Sequence, residues 1–69
     1  MQTLSFQDTL MIRATAMGRV VADFNATGFS NLTDVMHEVC RRVSDARGMI
    51  ELSLRNSTRG WTTRRALYI

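Results

Sequence analysis

His37 and Cys40 are the two side chains in this sequence whose types and spacing could bind a metal ion. On a helix this spacing lets both side chains point in the same direction and share one ion such as zinc. The chain has one histidine and one cysteine, so a complete site would need a symmetric dimer that supplies two such pairs. Cys40 also falls in the apolar stripe of the helix described below. The sequence therefore favours a core cysteine beside a boundary histidine and predicts no metal site.

The other residue types that perform catalysis are not arranged as a catalytic site. To act as a nucleophile, Cys40 would need a base and an electropositive, partly exposed setting, and an apolar stripe supplies neither. The six carboxylates form no recognisable acid and base pair, and the four glycines lack the spacing of a phosphate-binding loop. The sequence predicts a protein that is not an enzyme, that uses no cofactor and that has no identifiable small-molecule substrate.

Arginine is the chemically distinctive residue of the chain. All nine basic residues are arginines, and residues 47–69 carry five of them against one glutamate. Arginine recognises phosphate through a planar fork of donors, and a β-hairpin is narrow enough to enter a major groove, where a tryptophan could stack on a base. The candidate nucleic-acid or polyanion site consists of Arg55, Arg59, Trp61, Arg64 and Arg65.

The same arginines also have an explanation without a ligand. An arginine-only set is typical of a GC-rich genome, Trp61 could anchor the core, and arginines on a strand form a solvated face that discourages edge aggregation. Nucleic-acid binding is therefore the second of two functional hypotheses.

Residues 49–69, which contain all five residues of this candidate site, are predicted to form a β-hairpin. Ile50, Leu52 and Leu54 alternate with polar residues and so share one face of a strand. Small polar residues ending in Gly60 then have the composition of a hairpin loop. In the return strand Arg65 shares the parity of Trp61, so the pattern does not decide which face of residues 61–69 is buried.

A second hairpin is predicted at the start of the chain. Apolar or small residues occupy the even positions from Leu4 to Ala16 with Asp8 as the one exception, and alternation resumes after a turn at Met17 and Gly18. A helix over residues 8–26 is the alternative, because several apolar residues also fit a helical stripe. Gly18 would lie in mid-helix, and the neighbouring β-branched residues favour strands, so we prefer the hairpin.

Between the hairpins the sequence predicts one amphipathic helix. Ser30 or Asn31 can cap its first turn, and Gly48 is expected as its left-handed stop. Its apolar stripe is Leu32, Val35, Met36, Val39, Cys40 and Val43. The predicted order ββαββ is an α+β fold in which a four-stranded, mainly antiparallel sheet is covered on one face by the helix.

The short length of the chain favours association. Sixty-nine residues predict a single domain, 1–69, with a small core, and one cysteine cannot form an internal disulfide. The uncovered face of the sheet is predicted to carry Met11, Met17, Val21 and Tyr68. Scattered exposed apolar residues are also ordinary. The leading hypothesis is a non-enzymatic interaction module that forms a homodimer through this face or through a strand edge.

The N-terminal segment does not resemble a signal peptide, and no stretch approaches the roughly 18 apolar residues of a membrane span. The expectation is a soluble, cytoplasmic protein that has no membrane partner.

Overall fold

The computed structural model describes residues 3–43 and 45–69. Its elements are β1 (Leu10–Ala16), β2 (Arg19–Ala26), α1 (Leu32–Arg42), β3 (Met49–Asn56) and β4 (Trp61–Tyr68). The strands form one antiparallel sheet in the order β2-β1-β3-β4, so β1 and β3 are the central strands and β2 and β4 are the edges. The predicted ββαββ order and α+β class are confirmed.

The N-terminal hairpin is confirmed, and the alternative helix over residues 8–26 is wrong. Met17 and Gly18 both have positive φ, 52° and 77°, which is the backbone that a two-residue turn between twisted strands requires. The strand begins at Leu10, later than the alternation from Leu4 suggests. The preceding segment forms a turn in which the amide of Asp8 donates to the carbonyl of Ser5 at 2.8 Å.

A β-bulge interrupts the pairing of β1 with β2. Ala14 pairs with Ala22 and Thr15 pairs with Val20, which leaves Val21 without an opposite residue. Val21 lines a shallow depression at the end of α1, on the covered side of the sheet, and Val20 takes its place beside Thr15. The placement of Val21 on the uncovered face was therefore wrong, because one inserted residue reverses the parity of every residue beyond it.

The core lies between α1 and the two central strands. Nine apolar residues of the described chain are buried there: Leu10, Ile12, Ala14, Val35, Val39, Val43, Ile50, Leu52 and Leu54. The rest of the predicted helical stripe is half-buried at the rim of this core. Burial of every second residue in β1 and β3 is what one covered sheet face requires.

The helix begins where the sequence predicts but ends earlier. Asn31 caps it, since its side-chain oxygen accepts from the amide of Asp34 at 2.9 Å. The helix stops at Arg42 with Val43 as its C-cap, so Gly48 is not its stop. Gly48, at φ 89°, leads into β3 and exchanges two backbone hydrogen bonds of 3.0 Å with Ile69.

The pairing of β3 with β4 settles which face of the last strand is buried. The register runs without a shift from Met49 opposite Tyr68 to Asn56 opposite Trp61. Trp61 and Leu67 therefore lie on the helix side, and Arg65 lies there too. Because β4 is an edge strand, the long side chain of Arg65 can still reach solvent. Its Nη1 donates to Thr63 Oγ1 at 2.8 Å.

Replacement of Leu52 by alanine is expected to destabilise the domain by about 2–5 kcal/mol, because it leaves a cavity in the centre of the core. Leu52 is 1 % exposed, whereas Met11 on the other side of the sheet is 46 % exposed. Met11→Ala is the control and should change the free energy of unfolding by about 0.5 kcal/mol or less. Urea denaturation of both variants checks this, and equal losses would contradict the placement of the core.

Candidate binding surface on the open sheet face

The helix covers one side of the sheet and leaves the other, the open face, uncovered. Side chains alternate between the two sides of a strand, so the residues between the core positions lie on the open face. They are Met11, Arg13, Thr15, Val20, Asp23, Asn25, Met49, Glu51, Ser53, Arg55, Thr62, Arg64, Ala66 and Tyr68. This face divides into an apolar end and a charged centre.

The apolar end consists of Met17, Val20, Met49 and Tyr68. Tyr68 pairs with Met49 across the strands, and its hydroxyl lies 3.6 Å from the Met49 sulfur. Met17, in the adjoining turn, lines a shallow depression together with Met49. Met17 is 96 % exposed and Tyr68 is 80 % exposed. Exposed apolar side chains gathered in one place are typical of a binding surface.

Of the predicted self-association residues, Met17 and Tyr68 therefore lie together, and Met49 and Val20 join them. Met11 is on the same face at the opposite end of the sheet, where it pairs with Asn25 and Arg55. Sequence reasoning missed Val20 because the bulge exchanges its place with that of Val21.

The charged centre is the arginine triad, Arg13, Arg55 and Arg64, arranged around Ser53. Ser53 pairs with Arg13 of β1 on one side and with Arg64 of β4 on the other. Arg55 follows two positions later on β3 and therefore points from the same face. Three arginines from three neighbouring strands thus surround one hydroxyl group.

Asp23 neutralises one member of the triad. Its Oδ2 accepts from Arg13 Nε at 3.3 Å and from Nη2 at 3.2 Å, and both side chains are more than half exposed. An exposed pair of this kind stabilises a fold by only about 0–1 kcal/mol. Within residues 3–43 and 45–69 the side chains of Arg55 and Arg64 have no hydrogen-bonding or ion-pair partner.

The predicted nucleic-acid site is not assembled in one place. Arg55 and Arg64 share the open face, but Arg65 and Trp61 lie on the helix side. Trp61 packs against the core, and its indole Nε1 donates to the Thr3 carbonyl at 2.7 Å. Arg59 lies in the turn after β3. Arg13, which completes the triad, was missed because sequence patterns do not reveal that β1 pairs with β3.

Arg59 is held by a buried carboxylate. Asp8 is 3 % exposed, and its Oδ2 accepts from Arg59 Nε at 2.6 Å, from Asn56 Nδ2 at 2.9 Å and from the Ser5 amide at 3.0 Å. Asn56 is fully buried, and its Oδ1 accepts from the Arg59 amide at 2.9 Å. These donors, the Asn56 amide first, hold the pKa of Asp8 below its ordinary value although burial opposes them.

The histidine and the cysteine of the helix form no larger cluster. His37 is exposed and Cys40 is half-buried at the rim of the core. Among the residues that the structure describes, no group of three or more histidine, cysteine, aspartate or glutamate side chains could hold a metal ion. In the same part of the chain, no helix is long and apolar enough to cross a membrane.

Comparisons with known proteins found no match. No protein-family model matches the chain, and neither a curated protein nor a solved structure does.

Asp8→Asn is expected to lower Tm at pH 7 by about 5–10 °C, because the new amide would place a donor against the donors of Asn56 and Arg59. In the wild type the folded-state pKa of Asp8 is lowered from 3.8, so the ionised group stabilises the fold above that value. This stabilisation is lost as the pH falls through the folded-state pKa. Thermal unfolding followed by circular dichroism from pH 7 to pH 2 should show a smaller acid loss of Tm in the variant.

Glu38→Gln is the control for this measurement. Arg41 and then Arg42 also lower the pKa of Glu38, but these two side chains are 74 % and 47 % exposed, whereas Asp8 is 3 % exposed. We expect little change in Tm at pH 7, as for other surface pairs. If Glu38→Gln lowered Tm as much as Asp8→Asn, the network at Asp8 would not be the stabilising one.

Proposed function

We propose that this protein is a small, non-enzymatic interaction module that forms a homodimer through the apolar end of its open face. The observation that carries the proposal is the exposure of Met17, Val20, Met49 and Tyr68 together on a sheet face that α1 leaves uncovered. Covering these side chains removes apolar surface from water, at roughly 25 cal/mol per Å² before the costs of association.

The edges of the sheet support association through the face. The bulge at Val21 twists one edge strand, β2. The other edge strand, β4, carries two consecutive arginines, Arg64 and Arg65, in its middle. Bulges and charged side chains are two of the devices by which proteins prevent edge pairing. If two copies of β4 paired about a two-fold axis centred on one of these arginines, that arginine would lie opposite the same arginine of the second copy.

The surroundings of the apolar end suit a second copy of the same chain. A two-fold interface joins one patch to itself, so the patch must be self-complementary. Arg47 and Glu51 line the depression that contains Met17 and Met49. A patch that carries both signs of charge beside apolar side chains can match itself after a two-fold rotation.

The small core gives dimer formation a thermodynamic role. Nine buried apolar residues in the described part of the chain form a small core for a single domain. A partner that binds the folded state and not the unfolded state raises stability by mass action. Thermal stability should therefore rise with protein concentration.

The test compares two methionines of equal exposure at opposite ends of the open face. Met49 and Met11 are each 46 % exposed, so Met49→Glu and Met11→Glu make the same change in charge and volume. Light scattering after gel filtration should give twice the chain mass of 7.8 kDa for the wild type and for Met11→Glu. Met49→Glu should be monomeric, because it brings two like charges together at the interface and raises Kd at least about 100-fold.

Circular dichroism of each variant confirms that a change in mass is not a loss of folding. A wild type that stays monomeric at every concentration would refute the homodimer. Dissociation by Met11→Glu with no effect of Met49→Glu would place the interface at the other end of the face. A dimer that persists in high salt would agree with a mainly apolar interface.

A further inference from the structure

The arginine triad is a second feature of the open face, separate from the apolar end. Arg64 and Tyr68 lie on the same side of β4, and four residues of strand span about 13 Å. Opposed residues of antiparallel strands are about 5 Å apart, so Arg13, Ser53 and Arg64 form a row about 10 Å long with Arg55 beside it. Three side chains of this length can meet above Ser53.

The donors of the triad exceed the acceptors around them. Asp23 accepts from two of the Arg13 guanidinium nitrogens. The guanidinium groups of Arg55 and Arg64 have no partner in the described chain. Glu51, the other acidic residue of this face, precedes Ser53 on the side away from Arg55. An anion on the Arg55 side of Ser53 would lie among three cationic groups and beside the hydroxyl of Thr62, which pairs with Arg55.

From this geometry we propose that the arginine triad binds the phosphodiester backbone of single-stranded nucleic acid. The planar donor fork of arginine matches the oxygens of a phosphate group. The depressions between the arginines are shallow and open, while sites for small molecules are concave and enclose their ligand. A chain of phosphates needs no such enclosure, because it lies along the surface.

A duplex fits this surface less well than a single strand. Four strands span about 14 Å, which exceeds the width of about 12 Å of a major groove. The turn after β3 does not project as a free ribbon either. The Ser57 amide donates to the Thr9 carbonyl at 3.0 Å, and the Thr9 amide donates to Thr58 Oγ1 at 3.0 Å. A flexible single strand can follow the flat face.

The neighbours of the triad on this face favour binding that depends little on sequence. Besides Asp23, Glu51 and Ser53, they are Met11, Thr15, Thr62 and Ala66, and none of these side chains has an aromatic ring that could stack on a base. Contacts to phosphate position a nucleic acid but carry no direct sequence information.

The experiment measures fluorescence anisotropy of a labelled 12-nucleotide single strand of mixed sequence over a series of salt concentrations. Three phosphate contacts predict a slope of log affinity against log salt of about −2. Arg64→Gln removes one contact, so the slope should become shallower by about 0.7 and the affinity at low salt should fall about 3-fold to 10-fold. Arg55→Gln should act in the same way.

Arg65→Gln is the matched control. It lies next to Arg64 on the same strand and makes the same change in charge, but on the opposite side of the sheet. It should keep the slope and the affinity of the wild type. Equal losses in Arg64→Gln and Arg65→Gln would show that net charge alone attracts the strand and would overturn the proposal.

Two further outcomes would overturn it. A duplex of the same sequence that binds as tightly as the single strand would contradict the flat-surface argument. Inorganic phosphate that displaces the strand at concentrations below about 1 mM would indicate a site for small anions. The monomeric Met49→Glu variant should bind the strand with the wild-type affinity per chain, so failure of the homodimer and failure of nucleic-acid binding are measured separately.

Discussion

The buried carboxylate of Asp8 is the constraint that holds the N-terminal segment against the turn between β3 and β4. A charged group that is 3 % exposed must be surrounded by donors, and the donors come from the turn after β3 and from Ser5. This network ties the N-terminal segment to a strand far away in sequence, next to the pair formed by Leu10 and Asn56. It also engages Arg59 internally, through an Nε that donates to Asp8 at 2.6 Å.

The open face is the surface on which both proposed interactions are placed. The one helix buries one side of the sheet, and the strands then present alternate residues on the other side. The apolar end and the arginine triad share only β3 and β4, and they use different positions along those strands. Two kinds of partner can therefore be proposed for one face, and substitutions in one region leave the other in place.

Local patterns predicted much of the fold. Alternation in Ile50, Leu52 and Leu54 and the turn at Gly18 identified the hairpins, and the helical stripe with its cap at Asn31 identified the helix. Local patterns failed at Val21, where the bulge adds a residue, and at Gly48, which belongs to the entry of β3. They also grouped five residues of the last hairpin that the structure distributes over two faces and a turn.

The sequence by itself determined the types of the elements, their order and the abundance of arginine. These follow from side-chain period and turn chemistry, which are properties of a few neighbouring residues. The tertiary structure alone decided that β1 pairs with β3, that Arg13 joins Arg55 and Arg64 around Ser53, and that Asp8 engages Arg59. Such contacts join residues distant in the chain, and their geometry depends on how the whole sheet and helix pack together.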